Sequence, residues 1–169
     1  WQCDVDTIGS KSMLADAEIL ATIATGFNKL KLDTIIKVNN RKLLNGILEQ
    51  AKIEDKETAI IAIDKLAKIG MKGVTEERLQ KEFQKKQINS IFKLIQENIS
   101  LAKLKTQIKT EEGQEGIKEL EELFSYLRIM GIKSVKFDVS LARGLAYYTG
   151  TIFEGFLNDS QVTSSICGG

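Results

Sequence analysis

Histidine and proline are both absent from this 169-residue sequence, and only two cysteines occur. Without histidine, no Ser–His–Asp triad and no histidine-ligated zinc site can be built from it. Without proline, no fixed-φ residue interrupts its helical periods. Cys3 and Cys167 stand near opposite ends with no metal-type spacing. Free thiols in a reducing cytosol are therefore expected, a disulfide being the other reading. No apolar run nears the ~20 residues that span a bilayer, and no basic segment followed by an apolar one opens the chain. The glycine loops of P-loop and Rossmann sites are missing, as is a nucleophile elbow. The net charge of +1 argues neither for nor against a nucleic-acid partner.

What is present reads as a folded domain, with 43% hydrophobic and 28% charged residues. Residues 2–8 set Val5 and Ile8 among polar neighbours before Gly9, which predicts a short strand and turn. Ser12 is placed to cap a helix over about 13–30, with Met13, Ala17, Leu20, Ala24 and Phe27 at helical spacing. Residues 34–38 are β-branched and predict a strand. Asn39 and Asn40 then offer a helix start, with Leu43, Leu44, Ile47 and Leu48 as its buried face. From about Ile53 the chain turns Lys-, Glu- and Ile-rich with helical periods: Ile60, Ile63, Leu66 and Ala67; then Ile88, Ile91, Phe92, Ile95 and Ile99; then Ile117, Leu120, Phe124, Leu127 and Met130. Gly70 and Gly73 are read as breaks, and Gly113 and Gly116 as falling just before the last helix. After Gly131 the β pattern returns at 135–137 and over 145–157, while Gly168 and Gly169 read as a pair that continues into a turn or loop.

Two places remain for chemistry. Gln2, Asp4 and Asp6 alternate, so a strand would put them on one face, as either a solvent face or a site wall. Arg143 precedes Tyr147 and Tyr148. Arginine offers a planar fork for carboxylate or phosphate, and tyrosine offers an apolar wall with one orienting hydroxyl. An edge arginine beside two packed rings is the plainer alternative. Lys81, Lys85, Lys86, Lys93, Lys103, Lys105 and Lys109 form a basic stretch that suits either a phosphate backbone or a solvated helical face.

The segments WQCDVDTIGSKSMLADAEIL, VNNRKLLNGILEQA and FDVSLARGLAYYTGTIFE, in that order, closely resemble histidyl-tRNA synthetases, and most nearly their eukaryotic and archaeal-type forms. The resemblance implies an α+β fold: a partial class II antiparallel sheet with flanking helices, plus an inserted all-helical module. It divides the chain into a catalytic-domain segment at 1–52, a helical insertion domain at 53–131 and a second catalytic segment with the histidine-specific motif at 132–169. It implies that the parent joins histidine to ATP as histidyl-adenylate and transfers it to tRNA(His), with Mg2+. The parent would be a cytoplasmic homodimer, a mitochondrial form being the other compartment, and no membrane is involved. Carried over by position, Arg143 is the catalytic arginine at the substrate carboxylate and α-phosphate. Gln2 binds the histidine amino group, Asp6 and Tyr148 contact the imidazole, and Tyr147 lines its pocket. The basic stretch becomes a tRNA acceptor-arm contact. Ala146 departs from the family, which usually has aspartate there. The dimer-forming motif and most ATP ligands would lie outside these residues, so the chain alone is expected to be inactive. A synthetase-like regulatory or binding domain without ligase activity is the alternative.

Overall fold

A computed structural model of the chain describes residues 2–69, 99–158 and 161–169. Its elements are α1 Met13–Lys29, β1 Thr34–Asn40, α2 Arg41–Gln50, α3 Lys56–Ile69, α4 Leu101–Gln107, α5 Glu111–Ile129, β2 Val135–Phe137, β3 Thr151–Leu157 and β4 Cys167–Gly168. Helix starts follow their capping residues. The Ser12 side chain accepts from Leu14 N at 3.2 Å, and Asn40 Oδ1 accepts from Lys42 N at 2.8 Å. Helix α1 closes on Lys31 at φ 58, with Leu32 N donating back to Phe27 O at 3.0 Å.

The sheet runs β2-β1-β3-β4. Strand β1 is parallel to β2, with Ile36 opposite Val135, and antiparallel to β3, with Thr34 opposite Leu157 and Asn40 opposite Thr151. Strand β4 joins antiparallel to β3, so Gly168 lies opposite Glu154. Two of the three pairings are thus antiparallel, and the fold class is the mixed α and β arrangement expected.

Alternation along β1 sends Ile36 and Val38 into a core with Leu20 of α1, Leu43 and Ile47 of α2, and Ile117, Leu120, Leu123 and Leu127 of α5. The opposite flank of α2, Leu44 and Leu48, packs with Ile60 and Ile63 of α3 and with Leu141 and Ile152. Leu123 was not on the expected stripe of α5, whereas Met130 was and is 38% exposed, beyond the helix end.

Four expectations are corrected. Residues 2–8 form no strand and are exposed, because alternation fixes faces only where a neighbouring strand supplies hydrogen bonds, and they pair with no strand of the described sheet. Residues 145–150 are turn and irregular chain, and β3 starts at Thr151. Gly113 and Gly116 lie inside α5, where they let it cross α2. A Cβ on Gly46 would stand 2.6 Å from Gly113 N, and one on Gly116 would overlap the backbone nitrogen of Leu43. The boundary at 131 assigned α4 and α5 to the inserted module, yet Leu104 of α4 and the apolar face of α5 share the core of α1, α2 and β1. Gly70, Gly73, Ile88, Ile91, Phe92 and Ile95 lie outside the described residues, and the side chains of Leu66 and Ala67 are not described.

Candidate functional site

The segment between β2 and β3 carries Arg143, Tyr147 and Tyr148. Asp138 opens it: its Oδ1 accepts from Ser140 N at 2.9 Å and from Ser140 Oγ at 2.5 Å, and its Oδ2 pairs with Lys37 Nζ at 2.8 Å. Burial alone would raise the Asp138 carboxyl, but the Lys37 ammonium and the Ser140 hydroxyl outweigh it and hold it below its ordinary value. Leu141 and Ala142, which precede the arginine, are buried.

Arg143 then lies between β3, β4 and a tyrosine ring. Its Nη1 donates to Phe153 O at 3.3 Å, and its guanidinium sits 4.9 Å from the centroid of the Tyr148 ring. That is cation–π distance. A Cβ at Gly168 would overlap Nη1, so β4 reaches the arginine only because residue 168 has no side chain. The rings of Tyr147 and Tyr148 lie 4.5 Å apart at 43°, with their hydroxyls at 3.4 Å. Burial pushes the Tyr148 phenol up, the Tyr147 hydroxyl adds to this, and the positive Arg143 opposes it. Tyr147 itself is 70% exposed. Behind the arginine, burial raises the Cys167 thiol, against the Gly155 backbone and the Arg143 charge. Both cysteines are free, as expected.

On the other side of Tyr148 a cleft of about 400 Å³ is bordered by Arg41, Lys42, Asn45, Ala146 and Glu115. Ala146 is exposed there, so the methyl group leaves the mouth of the cleft unfilled. Lys42 pairs with Glu115 and Glu119 at 2.7 and 2.6 Å, and Lys56 with Glu112 at 3.1 Å. These lysines are therefore largely neutralised.

The sequence-predicted residues divide into those brought together and those kept apart. Arg143, Tyr147 and Tyr148 form one cluster. Gln2 and Asp6 are exposed on the irregular chain before α1, where the Gln2 amide donates to Asp4 at 3.1 and 3.2 Å, and no described contact joins either to Arg143. Of the basic stretch, Lys81, Lys85, Lys86 and Lys93 lie outside the described residues. Lys103 and Lys109 are exposed, while Lys105 is paired to Glu121 at 2.7 Å. Sequence reasoning missed Asn39, Arg41 and Glu154, all buried polar side chains beside the cluster. The only signal in the sequence was a polar Asn-Asn-Arg run where a strand meets a helix.

The model of the family described as histidyl-tRNA synthetase matches residues 1–169. The chain belongs to the histidyl-tRNA synthetase family. Among its synthetase relatives, the histidine–tRNA ligase 1 of Bacillus cereus is 39% identical over 173 residues, which cover 99% of this chain and 41% of that protein. The histidine–tRNA ligase of Clostridium tetani is 38% identical over 181 residues, covering 100% of this chain and 41% of the relative. These relatives are bacterial. The crystal structure of histidyl-tRNA synthetase from a Nostoc species superposes with a TM-score of 0.84 at 31% identity, over 95% of this chain and 40% of that one. A Bacillus halodurans structure described as an ATP phosphoribosyltransferase regulatory subunit/histidyl-tRNA synthetase superposes at 0.74 with 19% identity over 95% of this chain and 43% of its own, a likeness of fold alone. The chain thus spans about two fifths of the length of the synthetases it matches.

Proposed function

We propose that this chain supplies the histidine pocket of a histidine–tRNA ligase, which activates histidine with ATP and transfers it to tRNA(His). What carries the reading is the Arg143 guanidinium, held against the Tyr148 ring beside Tyr147. Negative charge grows on the α-phosphate as the histidine carboxylate attacks in line, and a preorganised guanidinium lowers that barrier. The tyrosine hydroxyls orient the imidazole, so a side chain without ring nitrogens leaves buried polar groups unpaired. Gln2 and Asp6 reach the substrate only if the exposed chain before α1 folds toward Arg143 when histidine binds. Among the described residues no group of three or more acidic, cysteine or histidine side chains could hold a metal ion.

Lys103 and Lys109, with the earlier lysines of the basic stretch, are proposed to follow the tRNA acceptor arm. Neutralising both is expected to lower the salt dependence of tRNA binding by about one unit of slope for each phosphate that loses its cation. An unchanged slope removes that part of the proposal. Among the described residues no helix is long and apolar enough to cross a membrane.

A second reading, a synthetase-like binding domain without ligase activity, is favoured by Ala146. Histidine-dependent ATP–pyrophosphate exchange, measured side by side on this chain and on the full-length protein carrying it, separates the two. Exchange by the longer protein and none by the chain is expected, since most ATP ligands and the dimer interface would lie outside it. Histidine binding without exchange by the longer protein would establish the second reading.

A further inference from the structure

The carbonyls leading into the tyrosine pair are held by two side chains from the junction of β1 and α2. Asn39 Nδ2 donates to the carbonyls of Val139 and Leu141 at 3.0 and 2.9 Å. Arg41 Nη1 donates to those of Arg143 and Leu145 at 3.3 and 3.5 Å. The acceptors are residues 139, 141, 143 and 145, the first of them in the turn that Leu141 N closes on Asp138 O at 3.1 Å. This stretch belongs to no strand, so the two side chains bond carbonyls that no strand partner bonds. Backbone bonds close both ends: Asp138 N to Val38 O at 3.0 Å, and Arg41 N to Gly150 O at 2.7 Å.

Both side chains are expensive to bury. Asn39 is 0% and Arg41 7% exposed, and Asn39 Oδ1 has no partner among the described residues. A buried unpaired acceptor and a buried charge each weigh against the fold. An apolar side chain at either position would avoid that burden but leave two carbonyls unbonded. The burden is offset by fixing the path of residues 139–150.

We infer that Asn39 and Arg41 are positioning residues that set where Arg143 and Tyr148 stand, and so align the histidine carboxylate with the α-phosphate of ATP. The inference rests on the reading of Arg143 as the catalytic arginine given above. Arg41 touches the backbone of Arg143.

The test reads the Arg143 side chain directly and then the reaction. In the 169-residue chain, the Arg143 Nε–H resonance carries a ring-current shift from Tyr148, and Tyr148→Leu provides the value for a guanidinium off the ring. Arg41→Lys keeps the charge but loses the planar pair of donors. It is expected to move the Arg143 signal most of the way toward that value, and Arg41→Gln is expected to do the same. In the full-length protein the same substitutions are expected to lower kcat for histidine-dependent exchange by about 10- to 100-fold, with KM for ATP unchanged. A general loss of folded protein would instead lower the active fraction without moving the Arg143 signal of what remains folded. An unmoved signal with undiminished kcat overturns the inference. If the unsubstituted full-length protein shows no exchange, the proposed function fails, and the resonance alone decides whether the two residues position Arg143. If neither variant folds, hydrogen exchange on the unsubstituted chain decides. The Arg41 Nη1 protons are expected to exchange far more slowly than those of exposed Arg128, and equal rates overturn the inference.

Discussion

Replacing Gly116 by alanine adds one methyl group at the crossing of α5 over α2. Alanine favours a helix interior over glycine by about 1 kcal/mol, so the substitution stabilises α5 considered alone. The added Cβ, however, would overlap the Leu43 backbone nitrogen and stand 3.1 Å from both Leu43 Cα and Asn40 Oδ1. Two of those three atoms are backbone and cannot rotate away. Overpacking of this kind costs about 1–3 kcal/mol. Asn40 Oδ1 is also the N-cap acceptor of α2, so displacing it forfeits about 1 kcal/mol more. The sum is a net loss of roughly 2 kcal/mol, or a fall in Tm of about 4–8 °C for a chain of this size. Gly26, inside α1, is the internal control, because a Cβ there meets nothing within 4 Å. Gly26→Ala is expected to raise stability by about 1 kcal/mol. Urea unfolding of both variants, followed by circular dichroism, reads the difference. If Gly116→Ala matches or exceeds Gly26→Ala in stability, the close crossing is not a constraint and the reasoning fails.

Other outcomes follow from the same geometry. Asp138 titrates below its ordinary value in the fold, so its stabilisation is complete above the unfolded pKa of about 3.9 and is lost as pH falls through the folded one. Lys37→Met removes the ammonium and is expected to move the acid-unfolding midpoint to higher pH. With Lys37 41% exposed, the loss near neutral pH is expected to stay below about 1 kcal/mol. Lys31 holds φ 58 at the end of α1. Lys31→Gly relieves a left-handed conformation and should add up to about 1 kcal/mol in thermal unfolding, whereas a loss would mean the lysine side chain is itself held. Ala146→Asp restores the residue usual in the family at the mouth of the cleft, so histidine activation by the full-length protein should be equal or faster. A clear loss would contradict the placing of Arg143.

Local chemistry made much of this legible. Ser12 and Asn40 cap their helices as their types require, and the two apolar flanks of α2 follow from helical spacing. The family was readable because LARGLAYYTG and its companions are segments whose residue types are tightly set. What escaped was non-local. Gly113 and Gly116 read as falling just before the last helix because glycine usually punctuates, and only the facing α2, with Gly46 against Gly113 and Leu43 against Gly116 about 70 residues earlier, makes them points of close approach. Residues 145–150 carry strand-forming side chains, but Arg41 and the turn at Tyr148 claim their backbone. Gln2, Asp4 and Asp6 alternate correctly for a strand, yet Ile8 is 94% exposed, and alternation without a partner chain gives no ladder. Asn39 and Arg41 reach carbonyls about 100 residues away, a distance at which no sequence pattern announces the pairing.

The bare α-carbon at Gly168 makes two sequence positions behave as one. Arg143 occupies the volume that a methyl group on residue 168 would need, so any larger residue there must evict the guanidinium from Phe153 O. A change at 168 would then be scored in an assay as damage to the arginine, although residue 168 has no side chain to offer a substrate. The two positions are epistatic by volume: Gly168→Ala is harmful beside arginine and nearly silent beside a short side chain at 143, and a double-mutant cycle measures the difference.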